Sequence, residues 1–218
     1  MQNKIIIVCG PKDSGKTYRV TELLAACDRA VTFDLIHEAA YGGEGCEVVT
    51  GNLRALYEAI PREREHFRVT YRPINVDVQD NGLVACPELE PVIKLCFLRG
   101  DTTLVIDEAH LVCNSRNCPR MLMVSNLVGR HRELSLVLVC QKLNVIPSAI
   151  RENTDEFYFW KIIEPASLDA VEDRCGREVR DQVAALRPID RDEDTGAFRA
   201  PGQCLHWTKF KGVVEVTE

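Results

Sequence analysis

The sequence predicts an α/β fold: a mostly parallel sheet with helices packed on both faces. Three observations carry that reading. Short apolar runs of strand length alternate with segments of helical periodicity. The runs "IIIVC", "TLVI" and "LVLVC" show no polar face, as strands buried on both sides require. The first run leads through a glycine-rich loop straight into a helix.

Taken in order, Lys4–Cys9 reads as a strand rich in β-branched residues. Lys16–Cys27 follows as a helix, with Val20, Leu23, Leu24 and Cys27 at helical spacing. Ala30–Phe33 is a second strand. Asn52–Ile60 is a helix stopped by Pro61, and His66–Tyr71 a strand stopped by Pro73. Pro87–Leu98 is helical and ends at Gly100. Thr102–Ile106 is a strand, Pro119–Val128 a helix ending at Gly129, and Leu134–Cys140 the most strongly marked strand. Phe157–Ile162 is another strand. Ser167–Arg174 and Glu178–Leu186 are helices. Gln203–Thr208 and Gly212–Thr217 suit a closing hairpin or edge strands. Asp34–Glu47, Asn75–Ala85 and Pro188–Gly202 read as loops, the last with the acidic turn "DRDEDTG". With no internal repeat or linker, 1–218 is expected to be one domain, with a core of about 4–186 and C-terminal strands or an arm over 187–218.

The 218 residues are 45% hydrophobic and 28% charged, which is ordinary globular composition. No apolar run approaches the ~20 residues that span a bilayer. The N-terminus does not read as a signal peptide, so a cytoplasmic protein is expected. Net charge is −6, which excludes a globally basic nucleic-acid coat. Arg130-His131-Arg132, with Arg116 and Arg120 upstream, is a local basic patch that alone reads as a solvated helix end. Ten cysteines occur without a C-x-x-C, and reduced thiols are expected. His110, Cys113 and Cys118 are too few, and wrongly spaced, for a standard zinc finger, and are expected to be unpaired loop and core residues.

The chemistry begins at "GPKDSGKT", Gly10 to Thr17, which reads G-x-x-x-x-G-K-T. Between strand and helix this is a P-loop. Its glycines let the backbone wrap closely, so that N–H groups converge on phosphate oxygens. The nucleotide-binding set is therefore Gly10, Pro11, Lys12, Asp13, Ser14, Gly15, Lys16, Thr17 and Tyr18. Lys16 would reach the β- and γ-phosphates of ATP, and the Thr17 hydroxyl would ligate Mg²⁺. "TLVIDEAH" supplies the second half. Asp107 emerges at the C-terminal end of a buried strand, the edge where ligands bind in a parallel sheet. It would hold Mg²⁺, while Glu108 would act as general base toward the attacking water. Gln141, at the end of the next strand, would sense the γ-phosphate.

These elements, together with "LVGRHRELSLVLVCQKLNVIPSAIRENTDEFYFWK", resemble the HerA/FtsK superfamily of DNA-pumping ATPases. The likeness covers roughly Lys4 to Leu186 and is greatest to the single-domain genome-packaging ATPases of membrane-containing viruses. The zonula occludens toxin family of filamentous phages is also similar. The resemblance implies a RecA-like P-loop NTPase domain and a homo-oligomeric ring, hexamer or pentamer, acting on double-stranded DNA. It implies capsid or membrane proteins at a packaging vertex as partners, and a virion-associated location besides the cytoplasm. It implies that Arg130 is an arginine finger acting in trans, with Arg132 and Arg151 in reserve. Toxin-type relatives carry a membrane-spanning helix that this sequence lacks, which favours the packaging motor. The alternative is an ATP-dependent assembly switch of the toxin type. "DEAH" does not indicate a helicase of that name, since those need two such domains in tandem.

Overall fold

The computed structural model describes residues 3–42, 45–61, 63, 65–79, 84–114, 117–191, 195 and 198–217. The chain opens with β1 (Ile5–Cys9), α1 (Lys16–Ala25) and β2 (Arg29–Phe33). Next come β3 (Glu47–Thr50), α2 (Leu53–Ala59), β4 (Phe67–Arg72), β5 (Asp77–Val78) and β6 (Val84–Ala85). The middle holds α3 (Leu89–Arg99), β7 (Thr102–Ile106), α4 (Ala109–Val112), α5 (Arg120–Val128) and β8 (Leu134–Cys140). Then follow α6 (Ser148–Asn153), β9 (Glu156–Phe159), α7 (Pro165–Cys175) and α8 (Arg177–Ala185). Two short strands, β10 (Asp190–Arg191) and β11 (Phe198–Ala200), precede β12 (Cys204–Thr208) and β13 (Gly212–Thr217).

Among the described residues, nine strands form one sheet in the order β13-β12-β9-β1-β8-β7-β2-β4-β3. From β9 to β3 every pairing is parallel, and β12 and β13 add an antiparallel hairpin at one edge. Every residue of β1, β7 and β8 is buried, which explains their uninterrupted apolar sequences. Alternation divides each strand between two cores. Ile5, Ile7 and Cys9 join the larger one, beneath residues of α2, α3, α5, α6, α7 and α8. Ile6 and Val8 join the smaller one, with Val20 of α1, Tyr41 and Trp160.

Local signals set the boundaries. Asn52 caps α2, its side-chain oxygen accepting from the N–H groups of Arg54 and Ala55 at 3.1 and 3.0 Å. Gly100 stops α3 at φ 65, where a Cβ would sit 2.7 Å from the Arg132 carbonyl oxygen.

Three expected loops hold short elements. Asp34–Glu47 contains a 3₁₀ turn at Ala39–Gly42, and Glu47 opens β3. That strand carries almost no sequence pattern because it lies at the sheet edge with only Val49 buried. Asn75–Ala85 holds the β5–β6 pair and Pro188–Gly202 the β10–β11 pair. The strand read as Phe157–Ile162 ends at Phe159, and α4 and α6 carried no sequence signal. Arg116 and most of the acidic turn after Arg191 lie outside the described residues. No helix among the described residues is long and apolar enough to cross a membrane.

Candidate functional site: a phosphate loop facing an acidic pair

The loop from Gly10 to Thr17 leaves β1 at the C-terminal edge of the sheet. The Gly10 N–H is held by the Cys140 carbonyl at 3.2 Å. A Cβ at Gly10 would sit 2.8 Å from the Trp160 Cβ, so only glycine fits. Gly15 takes φ 101, a left-handed conformation that glycine adopts without strain, and starts α1. Inside the loop, Lys16 is buried, and its Nζ donates to the Pro11 carbonyl at 2.6 Å. Burial lowers its pKa, while the nearby charges of Glu108 and Asp107 oppose that shift. The Ser14 hydroxyl is buried without a hydrogen-bond partner. A lysine folded onto its own loop and an orphaned hydroxyl both fit an anion within the loop.

Strand β7 delivers the acidic pair, its Asp107 N–H donating to the Phe33 carbonyl at 3.1 Å. The Asp107 carboxyl is buried, and desolvation, reinforced by the charge of Glu108, pushes its pKa up to about 7. A buried carboxylate of this kind suits a divalent cation shared with the Thr17 hydroxyl. Glu108 sits in the left-handed region at φ 48 and turns its side chain toward β8. There the Gln141 amide donates to its Oε1 at 2.9 Å. Its Oε2 is buried and has no hydrogen-bond partner. His110 Nδ1 lies 3.2 Å from that oxygen but accepts from the Gln141 N–H at 3.5 Å. Burial lowers the His110 pKa, and the nearby Glu108 charge opposes that shift. Glu108 Oε2 is thus left without a hydrogen-bond partner at the cavity wall.

One cavity of about 590 Å³ joins these groups. It is lined by the loop from Lys12 to Thr17 and by Asp107, Glu108, His110 and Gln141. The fold therefore brings together the P-loop, both acidic residues and the glutamine, as the sequence predicts. It does not bring the arginines. Arg130 lies at the opposite end of β8, its Nη2 bound to both Asp155 carboxylate oxygens at 2.7 and 2.9 Å. Arg132 is exposed and stacks its guanidinium over Phe97 at 5.7 Å. Arg151 is committed to the Ile146 and Ala170 carbonyls at 3.1 and 3.3 Å, tying α6 to α7.

Sequence reasoning missed several residues here. Asp34 directly follows β2, beside β7, and is fully buried, its carboxylate held by Arg72 Nε at 3.0 Å. Its position at the C-terminal end of a parallel strand was the available signal. Tyr41, from the turn at Ala39–Gly42, is buried beside Thr17, and its hydroxyl lacks a hydrogen-bond partner of regular geometry. Burial and then the Asp107 charge push its pKa upward. Trp160 floors the P-loop. The C-terminal arm completes the walls: Pro188 and Ile189 border a cavity of about 450 Å³ beside Pro11 and Lys12. Ile189, Pro201 and Gly202 border a second, about 380 Å³, beside Tyr18. His110, weighed as a zinc ligand, faces Glu108 instead. Cys113 and Cys118, expected to be unpaired, lie with their sulfurs 3.0 Å apart.

A glycine loop between strand and helix, an acidic pair two strands away and a parallel sheet define a P-loop NTPase fold. The family model of the Zonular occludens toxin (Zot) matches residues 4–161, and the chain belongs to that family. In fold it is similar to the genome packaging NTPase B204 from Sulfolobus turreted icosahedral virus 2 in complex with ATP-gammaS. That likeness has a TM-score of 0.72 at 16% identity, over 99% of this chain and 97% of that one. B204, the DNA-packaging ATPase from Sulfolobus Turreted Icosahedral Virus, gives 0.69 at 17% identity, over 99% and 97%. The pCW3 conjugation coupling protein TcpA with ATPgS gives 0.52 at 15% identity, over 97% and 59%. No curated protein matches the sequence.

Proposed function

We propose that this protein is an ATP-hydrolysing motor that moves double-stranded DNA, working as a ring of identical subunits in viral genome packaging. The observation that carries the reading is the convergence of Lys16, Glu108 and Gln141 on one cavity, with Glu108 Oε2 buried and open. The shared fold with B204, a genome packaging NTPase, supports it.

Each residue has a chemical task. The Lys16 ammonium leaves the Pro11 carbonyl for the β- and γ-phosphate oxygens. Thr17 and Asp107 would hold Mg²⁺, which would neutralise phosphate charge. Glu108 Oε2 takes a proton from water as the water oxygen attacks the γ-phosphorus and the bond to the β–γ bridging oxygen breaks. The Gln141 amide, now on Glu108 Oε1, exchanges that partner for a γ-phosphate oxygen. Arg130, or Arg132, enters the pocket of a neighbouring copy and stabilises charge there, an effect worth ~10³-fold or more where it acts.

Membership of the toxin family favours a second reading, an ATP-dependent assembly switch. Turnover with and without duplex DNA separates the two. A motor is stimulated by duplex, whereas a switch turns over at the same rate. Glu108→Gln should bind ATP yet lose about 10²- to 10⁴-fold in turnover. An unchanged rate removes Glu108 as the base.

A further inference from the structure

Just beyond α4, outside the nucleotide cavity, sits a thiol pair to which the proposed ATPase chemistry gives no task. We propose that Cys113 and Cys118 form a reversible dithiol–disulfide site, oxidised by small disulfides of the glutathione class. The two sulfurs are 3.0 Å apart. That is closer than the ~3.5–4.0 Å of ordinary non-bonded heavy atoms.

The backbone holds them there. The Asn117 N–H donates to the Asn114 side-chain oxygen at 2.9 Å, and the Asn114 N–H to the Asn117 carbonyl at 3.4 Å. These bonds tie Asn114 to Asn117, so the residues on either side, 113 and 118, face each other. Both ends are anchored as well. The Cys113 N–H donates to the Ala109 carbonyl of α4 at 2.8 Å, and Pro119 caps α5. The sulfurs therefore meet because the Asn114–Asn117 bonds and the two anchored ends set them opposite one another.

The pair also divides the chemical labour. Cys118 is partly exposed and open to an oxidant, whereas Cys113 is buried behind it. The hydrogen bond between the two sulfurs lowers the Cys118 pKa, which favours its thiolate, and raises that of Cys113. The Cys118 thiolate attacks one sulfur of the oxidant disulfide, and the other leaves and is protonated to a thiol. Once Cys118 is in the mixed disulfide, its hold on the Cys113 proton is gone. Cys113 then loses that proton to solvent and attacks Cys118, expelling the second small thiol. Two electrons pass from the cysteines to the oxidant: one disulfide forms, one is reduced, and two small thiols are released. Cys9 and Cys140 are neighbours in register too, but both are fully buried between β1 and β8, with no route for an oxidant.

The test uses the full chain and reads thiol chemistry alone, so it stands apart from the ATPase reading. The folded protein is treated with oxidised glutathione, quenched by alkylation and digested with trypsin. Trypsin cleaves after Arg116, between the two cysteines, so only a 113–118 disulfide holds the flanking peptides together. The linked pair is expected to appear about tenfold faster than any other disulfide. It should vanish on reduction. In Cys113→Ser, Cys118 should stop at the mixed disulfide, while in Cys118→Ser, Cys113 should stay unmodified. The proposal is overturned if wild-type protein yields no linked pair, or if Cys118 reacts no faster after guanidinium unfolding is reversed than while unfolded.

Discussion

Asp107 is expected to destabilise the nucleotide-free protein, and replacing it should show by how much. The carboxyl is 4% exposed, and its pKa stands at about 7 against an ordinary 3.8. Burial thus favours the protonated form in the folded chain. The stability this contributes is complete below 3.8 and is lost as pH rises through about 7. A difference of about 3 in pKa, at 1.36 kcal/mol for each, gives a cost of roughly 4 kcal/mol above pH 7. Near pH 4 the same linkage leaves less than about 1 kcal/mol. Asp107→Asn keeps the shape and never ionises. Its stability relative to wild type should therefore grow by roughly 3 kcal/mol between pH 4 and pH 8. For a chain of this size each kcal/mol moves Tm by about 2–4 °C, so the gap between the proteins should widen by roughly 6–12 °C. Differential scanning calorimetry without nucleotide or metal reads it directly. The reasoning fails if the gap stays constant across that range, or if the variant becomes relatively less stable as pH rises. The same variant should lose the added stability that ATP with Mg²⁺ gives wild type.

Other substitutions probe single features. Gly15→Ala forces a Cβ into a left-handed residue at φ 101 and should cost about 1–2 kcal/mol in chemical denaturation, along with nucleotide affinity. Asn52→Ala removes the two-bond cap of α2 and should cost about 1 kcal/mol while leaving ATP turnover unchanged. Tyr41→Phe deletes a buried hydroxyl without a regular partner, so denaturant midpoints should hold or rise slightly. Arg130→Ala breaks a half-exposed pair with Asp155; thermal melts should show a loss of no more than about 1 kcal/mol, even if turnover collapses.

The sheet and the P-loop were legible because their signals are local. Ile5–Cys9 and Leu134–Cys140 carry unbroken apolar runs, and Gly10, Gly15, Lys16 and Thr17 keep a fixed spacing. Gln141 was legible once β8 was placed, since it is the next residue out. What stayed hidden depends on strand order, which periodicity does not encode. Asp34 matters because β2 lies beside β7, and Tyr41 because a turn folds back over Thr17. Edge strand β3 has one buried residue and so gives almost no pattern. The C-terminal arm that borders the P-loop leads into β12, which pairs with β9, a contact between segments some 50 residues apart in sequence. The approach of Cys113 to Cys118 follows from hydrogen bonds between two asparagines, Asn114 and Asn117, which "CNSRNC" contains but periodicity does not reveal.

Parallelism explains both what the site contains and what it lacks. Strands β1, β8 and β7 run the same way, so the loops that leave them, carrying Lys16, Gln141 and Glu108, meet at one edge. Arg130 precedes β8 and so belongs to the other edge. Seven residues of strand put it roughly 20 Å from the cavity at ~3.3 Å per residue. No rotamer change spans that distance, so an arginine from this segment can complete a pocket only in a different copy of the chain. It must also leave Asp155, which keeps the Ile5 N–H at 2.9 Å as a partner and is not stranded by the exchange. A contact that joins the front edge of one subunit to the back edge of the next is head-to-tail, and it closes as a ring when the rotation permits. Mixtures of Lys16→Ala and Arg130→Ala subunits, each silent alone, should then recover turnover at interfaces that pair an intact loop with an intact arginine. Silence at every mixing ratio would assign Arg130 to its bond with Asp155 alone.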